Sequence, residues 1–110
     1  MTYPVINAEV ATANINSNSF DIGGLPIRCA NLGWQVNAVG FNAADATVKI
    51  QHSQDATNWA DITDATLTIA SGTSSQVQSP ITNIGSTYYR AVYTKNTNSA
   101  GTVTVIFSFN

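Results

Sequence analysis

Apolar and polar residues alternate with a period of two in several short segments of this chain, which is typical of β-strands with one buried face. Residues 46–53 show the pattern most clearly, with Ala46, Val48, Ile50 and His52 on one face and polar side chains on the other. No segment of useful length shows the 3.6-residue apolar period of an amphipathic helix. The pattern therefore predicts an all-β protein.

Turn-forming residues separate the predicted strands. The remaining strands are predicted at 2–12, 19–22, 31–40, 59–62, 65–70, 76–81, 87–95 and 102–110, while the polar segments 13–19 and 71–75 are predicted to be a hinge and a flexible loop. About eight short strands at this spacing are expected in a sandwich or a barrel. We predict an antiparallel, jelly-roll-like β-sandwich, because alternating faces suit two sheets packed on one core.

The 110 residues suffice for a single domain, in which residues 1–18 form a β-prone arm or edge strand and residues 19–110 the sandwich. Such an arm is able to add a strand to a neighbouring chain. We expect its contacts with a partner to involve Tyr3, Val5 and Ile6.

The last segment, TVTVIFSF, has high β-propensity and contains neither a charge nor a proline. Exposed at the edge of a sheet, such a strand promotes aggregation. It is therefore predicted to lie in the middle of a sheet or beneath another chain or the N-terminal arm.

Charge is scarce in this sequence. Only 9% of its residues are charged, against about 25% in ordinary soluble domains, and Thr (14), Asn (12) and Ser (10) take their place. The four basic residues, Arg28, Lys49, Arg90 and Lys95, are scattered and form no basic stripe, so no nucleic-acid partner is expected. No apolar run reaches the length of a membrane helix and no signal peptide is recognisable, so no membrane partner is expected either.

The residues that could support catalysis or metal binding are not arranged for it. His52 and Ser53 are adjacent in a strand and point to opposite faces, and Cys29 has only His52 as a possible base. Asp45, Asp55, Asp61 and Asp64 lack the spacing of a calcium loop, and a lone histidine gives zinc no ligand set. We therefore expect a protein that is not an enzyme and has no metal or cofactor.

The segment IQHSQDATNWADI, 50–62, is predicted to be a strand, a turn and a second strand. Ser53 and Asp55 are placed to accept backbone N–H bonds within the turn. Trp59 is expected to fold back over the turn and anchor the next strand, so that Trp59→Ala costs about 3–5 kcal/mol, as the truncation of a large core residue does. An outward-facing Trp59 would instead be available for binding.

The aromatic residues offer a second possible function. Trp34 lies within an apolar alternation and is assigned to the core. Tyr88 and Tyr89 must face opposite ways in a strand, so one of them leaves the core. Together with Trp59, an exposed Tyr88 surrounded by Asn and Thr is what a glycan-binding surface would use.

The order of these segments resembles a β-sandwich module of bacteriophage virion structural and decoration proteins, which is distantly similar to discoidin-like and other carbohydrate-binding sandwiches. The matching segments are SFDIGGL (19–25), GWQVNAVG (33–40), VKIQHSQDATNWADI (48–62), TLTIASGT (66–73), ITNIGSTYYRAVYT (81–94) and GTVTVIFSF (101–109). The pattern centres on Ser53, Asp55 and Trp59, followed by YYRAVY, and Ala56 stands where the family usually has glycine.

The resemblance implies a structural protein of the virion, assembled in the host cytoplasm, and carries over no catalytic residue. Its partners would be other virion proteins and further copies of itself, in capsid decoration or in a head- or tail-associated role. The alternative is a glycan-binding module that attaches to a host or to mucus.

Overall fold

Two antiparallel β-sheets pack face to face in the computed structural model, which describes residues 2–24, 29–82 and 84–110. Arg28, one of the four basic residues, lies outside this part of the chain. The strands are β1 (Thr2–Val10), β2 (Ile15–Asn16), β3 (Phe20–Asp21), β4 (Asn31–Phe41), β5 (Thr47–Ser53), β6 (Ala60–Thr68), β7 (Gly72–Thr82), β8 (Tyr88–Thr94) and β9 (Thr102–Phe109), with a 3-10 turn at Ile22–Gly24.

The strand order is that of a jelly roll. Sheet A has the order β1-β9-β4-β7 and sheet B the order β2-β8-β5-β6, with β3 also pairing with β8. The first strand thus pairs with the last, β2 and β3 with β8, β4 with β7, and β5 with β6, as in a long hairpin rolled up on itself. The predicted antiparallel, jelly-roll-like sandwich is confirmed.

The core lies between the sheets and follows the predicted alternation. Every second residue of β4, β8 and β9 is buried over most of their length, and Trp34 is only 3% exposed, as predicted. At one end of the core the ring of Phe20 lies 4.6 Å from that of Tyr3 and 5.0 Å from that of Phe109, measured between centroids. These aromatic contacts join β1, β3 and β9.

The N-terminal and C-terminal strands lie side by side. β9 is flanked by β1 and β4, which confirms the prediction that the uncharged last strand is not an edge. β1 is an edge strand of sheet A and contributes Ile6, only 2% exposed, to the core. β2 is a short edge strand of sheet B, and its Ile15 packs against the same core.

Three sequence predictions need correction. Residues 72–75 belong to β7 and are not a loop, because their backbone pairs with β4 although their side chains are polar. The supposed hinge at 13–19 contains β2, and Ser17 exchanges hydrogen bonds with the backbone of Ala91. Segments 59–62 and 65–70 merge into one strand that is kinked at Asp64, whose φ is +62°.

In the described part of the chain, no helix has the length and apolar character needed to cross a membrane.

Candidate functional site

The turn after β5 is built on two side chains that replace backbone hydrogen-bond partners. The Ser53 hydroxyl accepts hydrogen bonds from the backbone N–H groups of Asp55 (3.2 Å) and Ala56 (3.0 Å). The Asp55 carboxylate accepts from the backbone of Thr57 (2.9 Å) and Asn58 (2.8 Å), and also from the Ser53 hydroxyl (2.8 Å). These side chains thus supply hydrogen-bond acceptors to the backbone N–H groups of the turn, as Asx and Ser turns do.

Ala56 adopts the left-handed backbone conformation that favours glycine. Its φ is +59°. A side chain in this region costs about 1–2 kcal/mol relative to glycine. The turn therefore adopts a conformation best suited to glycine with an alanine in that position, held by the hydrogen bonds of Ser53 and Asp55.

Replacing Asp55 with asparagine is expected to weaken the dependence of stability on acid pH. Hydrogen bonds from the backbone of Asn58 and Thr57 hold the pKa of the Asp55 carboxyl well below its usual range. A carboxyl with a lowered folded-state pKa contributes stability at neutral pH, and this contribution is lost as the pH falls below about 4. Urea unfolding between pH 7 and pH 2 should show a shallower decline for Asp55→Asn than for the wild type, and parallel profiles would contradict the assignment.

Of the two orientations that the sequence left open for Trp59, the structure shows the outward one. The ring is half-buried and lies on the outer face of sheet B, where the Arg90 guanidinium carbon sits 4.5 Å from the ring centroid. The core of the sandwich does not include it. Trp59 follows the irregular turn after β5 and precedes β6, so the alternation of β5 could not be extended to it.

Trp59→Ala is accordingly expected to cost only about 1 kcal/mol, the size of an exposed cation–π contact. Trp34→Ala provides the contrast and should cost about 3–5 kcal/mol, because Trp34 is a fully packed core residue. Equilibrium denaturation of both variants measures the difference. A loss at Trp59 as large as the loss at Trp34 would show that the ring contributes to the core.

The neighbours of Trp59 form a connected polar row on the outer face of sheet B. The Arg90 Nε donates to the Gln51 Oε1 (2.8 Å), and the Gln51 Nε2 donates to Asp61 (2.7 Å). Lys49 completes the row with an ion pair to Asp61 at 3.2 Å. The hydrogen bonds from Gln51 and Lys49 lower the pKa of the Asp61 carboxyl.

Tyr88 and Tyr89 divide between the two faces of sheet B as predicted. Tyr89 is buried, only 1% exposed, and burial raises the pKa of its hydroxyl. Tyr88 is half-buried two residues before Arg90, on the same outer face. The outer face of sheet B therefore brings Trp59, Arg90 and Tyr88 together.

His52 lies on the core side of sheet B, beside a cleft of about 250 Å³ lined largely by Ile62, Ile81, Ile84 and Tyr89. Its Nδ1 is 2.9 Å from the Ser86 Oγ. The sequence offered Ser53 as a neighbour of His52, but the Ser53 hydroxyl is used within its own turn. Ser86 is 34 residues away along the chain, and no local pattern pointed to it.

Three of the aspartates considered for a metal site bond to separate partners. Asp55 bonds within its turn, Asp61 bonds to Lys49 and Gln51, and Asp45 accepts from Thr97 at 2.6 Å. No group of three or more His, Cys, Asp or Glu suited to a metal ion occurs among the described residues. Cys29 is half-buried and packs against the core.

The arm residues Tyr3, Val5 and Ile6 pack against the core of their own chain. Tyr3 contacts Phe20, Ile6 is buried, and Val5 is half-buried. A contact of these side chains with a partner would require β1 to leave β9, and it stays a prediction.

The comparisons with known proteins give a likeness in fold. No family model matches this chain, and no curated protein matches it. Among solved structures, it is similar to the crystal structure of the PBSX exported protein XepA, with a TM-score of 0.71 and 16% sequence identity. The match covers 100% of this chain and 37% of that protein, so this chain spans well under half the length of XepA.

Proposed function

We propose that this chain is a non-enzymatic structural protein of a phage virion, which decorates the capsid or associates with the head or tail. It binds the structural shell and further copies of itself. The observation that carries the proposal is the separation of charge between the two sheets. β4, β7 and β9 contain no charged residue, and β1 adds only Glu9, whereas Lys49, Asp61, Asp64 and Arg90 all lie in strands of sheet B.

The outer face of sheet A has the character of an interface. Its outward positions on β4 and β9 include Gln35, Asn37, Thr104 and Ile106, paired across the strands. Charged residues are depleted at the centres of protein–protein interfaces, because an unpaired charge is costly to desolvate. Hydroxyl, amide and aliphatic groups can be covered at a lower cost, provided that the partner supplies hydrogen bonds.

The likeness to XepA supports the phage setting. The matched part of that phage PBSX protein has the same sandwich fold, and the match extends over the whole of this chain. A role in the virion, after assembly in the host cytoplasm, agrees with this likeness and with the resemblance of the sequence to virion sandwiches.

The decisive experiment measures incorporation into particles. Tagged wild-type protein should be found by mass spectrometry in density-purified virions, and Ile106→Lys should reduce its amount about tenfold or more, because a buried unpaired charge commonly costs more than 1.4 kcal/mol. Thr68→Lys, on the outer face of sheet B, is the matched control and should be incorporated normally. Absence of the wild-type protein from purified virions would refute the proposal.

Glycan binding is the second candidate, and the outward position of Trp59 favours it. Aromatic rings that keep one part exposed and lie among amides and charges are suited to stack on sugars and orient their hydroxyl groups. Trp59, Tyr88 and the row of Arg90, Gln51 and Asp61 provide these groups on one face.

A glycan array followed by calorimetry tests this role. The wild type should bind at least one glycan, Trp59→Ala and Tyr88→Ala should each weaken it, and Thr68→Ala should not. If the wild type binds no glycan at millimolar concentration, the outer face of sheet B has no such role.

A further inference from the structure

β7 is the long open edge of this sandwich. It has 11 residues, as many as β4, and pairs with β4 on one side only among the described strands. The pairing with β4 is regular from Ser74 to Gln78, which lie opposite Ala38 and Trp34. An edge of this kind presents unpaired N–H and C=O groups to any strand that approaches it.

The other edges of the two sheets are all blunted. β1 contains Pro4, two register irregularities against β9, and Ala8 with φ +49°. β6 contains Asp61 and Asp64, with positive φ at the latter, and β2 and β3 have two residues each. Proline, bulges, charge and short length are the usual protections of an edge against another chain.

β7 has a proline and two register shifts against β4, but these lie towards its two ends. The pairing with β4 skips from Gln78 to Ile81, so that Ser79 and Pro80 bulge opposite a single residue of β4. Ahead of this bulge the strand carries only Gly, Thr, Ser, Gln and Val. Val77 is 74% exposed, the most exposed large hydrophobic side chain in the described part of the chain.

We propose that a second copy of this chain pairs with β7, strand against strand, about a two-fold axis at Gln76. This specifies the surface for the self-association in the proposed function and rests on that function. Pairing of a strand with its own copy about a two-fold axis is antiparallel, so the two sheets A join into one eight-stranded sheet. Ser74 then lies opposite the partner's Gln78, Ser75 opposite the partner's Val77, and the two copies of Gln76 face each other.

The absence of charge on β7 favours a second copy as the occupant. Self-pairing places each side chain within about 5 Å of its counterpart on the other copy, where like charges repel. β6 would bring acidic residues together in such a pairing, whereas β7 has none to bring together. The blunted β1 edge ends the assembly at two copies, because the described strands leave no second open edge to extend the sheet.

The pairing is small compared with a standard protein–protein interface. It is therefore expected to depend on concentration in solution and to be favoured where copies are crowded on a particle. Sedimentation equilibrium of the full chain should give a monomer–dimer equilibrium. Gln76→Lys should raise the dissociation constant at least tenfold, because two lysines meet at the axis, while Thr68→Lys should leave it unchanged.

A cysteine pair tests the register directly. In a background with Cys29→Ser, Gln76→Cys should form a disulfide-linked dimer under mild oxidation, because opposite Cα atoms in an antiparallel pair lie about 4.5–5.5 Å apart, within disulfide range. Thr68→Cys should not. Circular dichroism and thermal unfolding of each variant check that it is folded, so that loss of the dimer is not caused by unfolding.

The outcomes separate this inference from the proposed function. A wild type that self-associates equally well with Gln76→Lys would overturn the β7 pairing and leave the virion role standing. A wild type that is monomeric at all concentrations, or that forms a larger ring, would also overturn it. Absence from virions would refute the virion role, whether or not the β7 dimer forms.

Discussion

Replacing Gly101 with alanine should lower the free energy of unfolding by about 3–5 kcal/mol, among the largest effects of a single substitution. Gly101 has φ +88°, in the region that side chains disfavour. A Cβ at this position would also collide with the carbonyl oxygen of Val39 and lie 2.9 Å from the carbonyl carbon of Gly40. Both are backbone atoms of a paired strand, which cannot rotate away as a side chain could.

Gly101 matters because three segments meet there. It precedes β9, lies against the bulge at the end of β4, and its carbonyl accepts a hydrogen bond from the backbone of Ala11 at 2.9 Å. Displacing the Gly101 backbone would therefore disturb sheet A and the path of the chain that leads from β1 to β2. Gly101→Ala should therefore disturb more of the structure than the turn that precedes β9.

Alanine substitutions at two other glycines separate the cost of the backbone conformation from the cost of the steric clash. Gly72→Ala places a Cβ at φ +85° with no atom within 4 Å, and should cost about 1 kcal/mol from the backbone conformation alone. Gly85→Ala meets neither a positive φ nor a neighbouring atom, and should change stability by less than about 0.5 kcal/mol. Urea denaturation of the three variants should rank them in this order, and equal costs at Gly101 and Gly72 would contradict the steric argument.

The strands that could be predicted from sequence are those with two different faces. β5, β8 and β9 each alternate between buried apolar and outward polar residues, and their bounds agree with prediction to within a residue or two. β2 and the first half of β7 could not be predicted, because their polar residues become strands only through pairing with β8 and β4. That pairing depends on parts of the chain far away in sequence.

The same distinction applies to the candidate site. Ser53 and Asp55 are two residues apart and make contacts within their own turn, so the local sequence was sufficient to predict them. The contact of Trp59 with Arg90 and that of His52 with Ser86 join distant segments and required the fold. The direction of Trp59 could not be derived from local alternation either, because Trp59 lies in the irregular segment between β5 and β6.

Asn98 is the most heavily bonded buried polar side chain in the described part of the chain. It is 0% exposed and its Oδ1 accepts from the backbone N–H of Asn42 at 3.0 Å. Its Nδ2 donates to the carbonyl of Ala100 (2.9 Å) and to the Tyr93 hydroxyl (3.1 Å), which in turn donates to the carbonyl of Ala11 (2.9 Å). Burial raises the pKa of that hydroxyl, which keeps it protonated as a donor.

Asn98→Ala is therefore expected to cost about 3 kcal/mol, because it leaves several buried polar groups without partners at once. Tyr93→Phe removes only one end of the network and should cost about 1–2 kcal/mol. The double variant should lose less than the sum of the two, since both side chains serve the same network.

Asn42→Ala provides the matched control in the adjoining loop. The Asn42 side chain also makes two hydrogen bonds, both with Ser99, but it is exposed, so water replaces them when it is removed. Its loss should cost less than about 1 kcal/mol. Thermal and urea unfolding of the four variants measure these values. Strictly additive losses at Asn98 and Tyr93 would mean that the two residues stabilise the fold independently. That result would contradict the shared network, in which the two side chains are joined by a direct hydrogen bond.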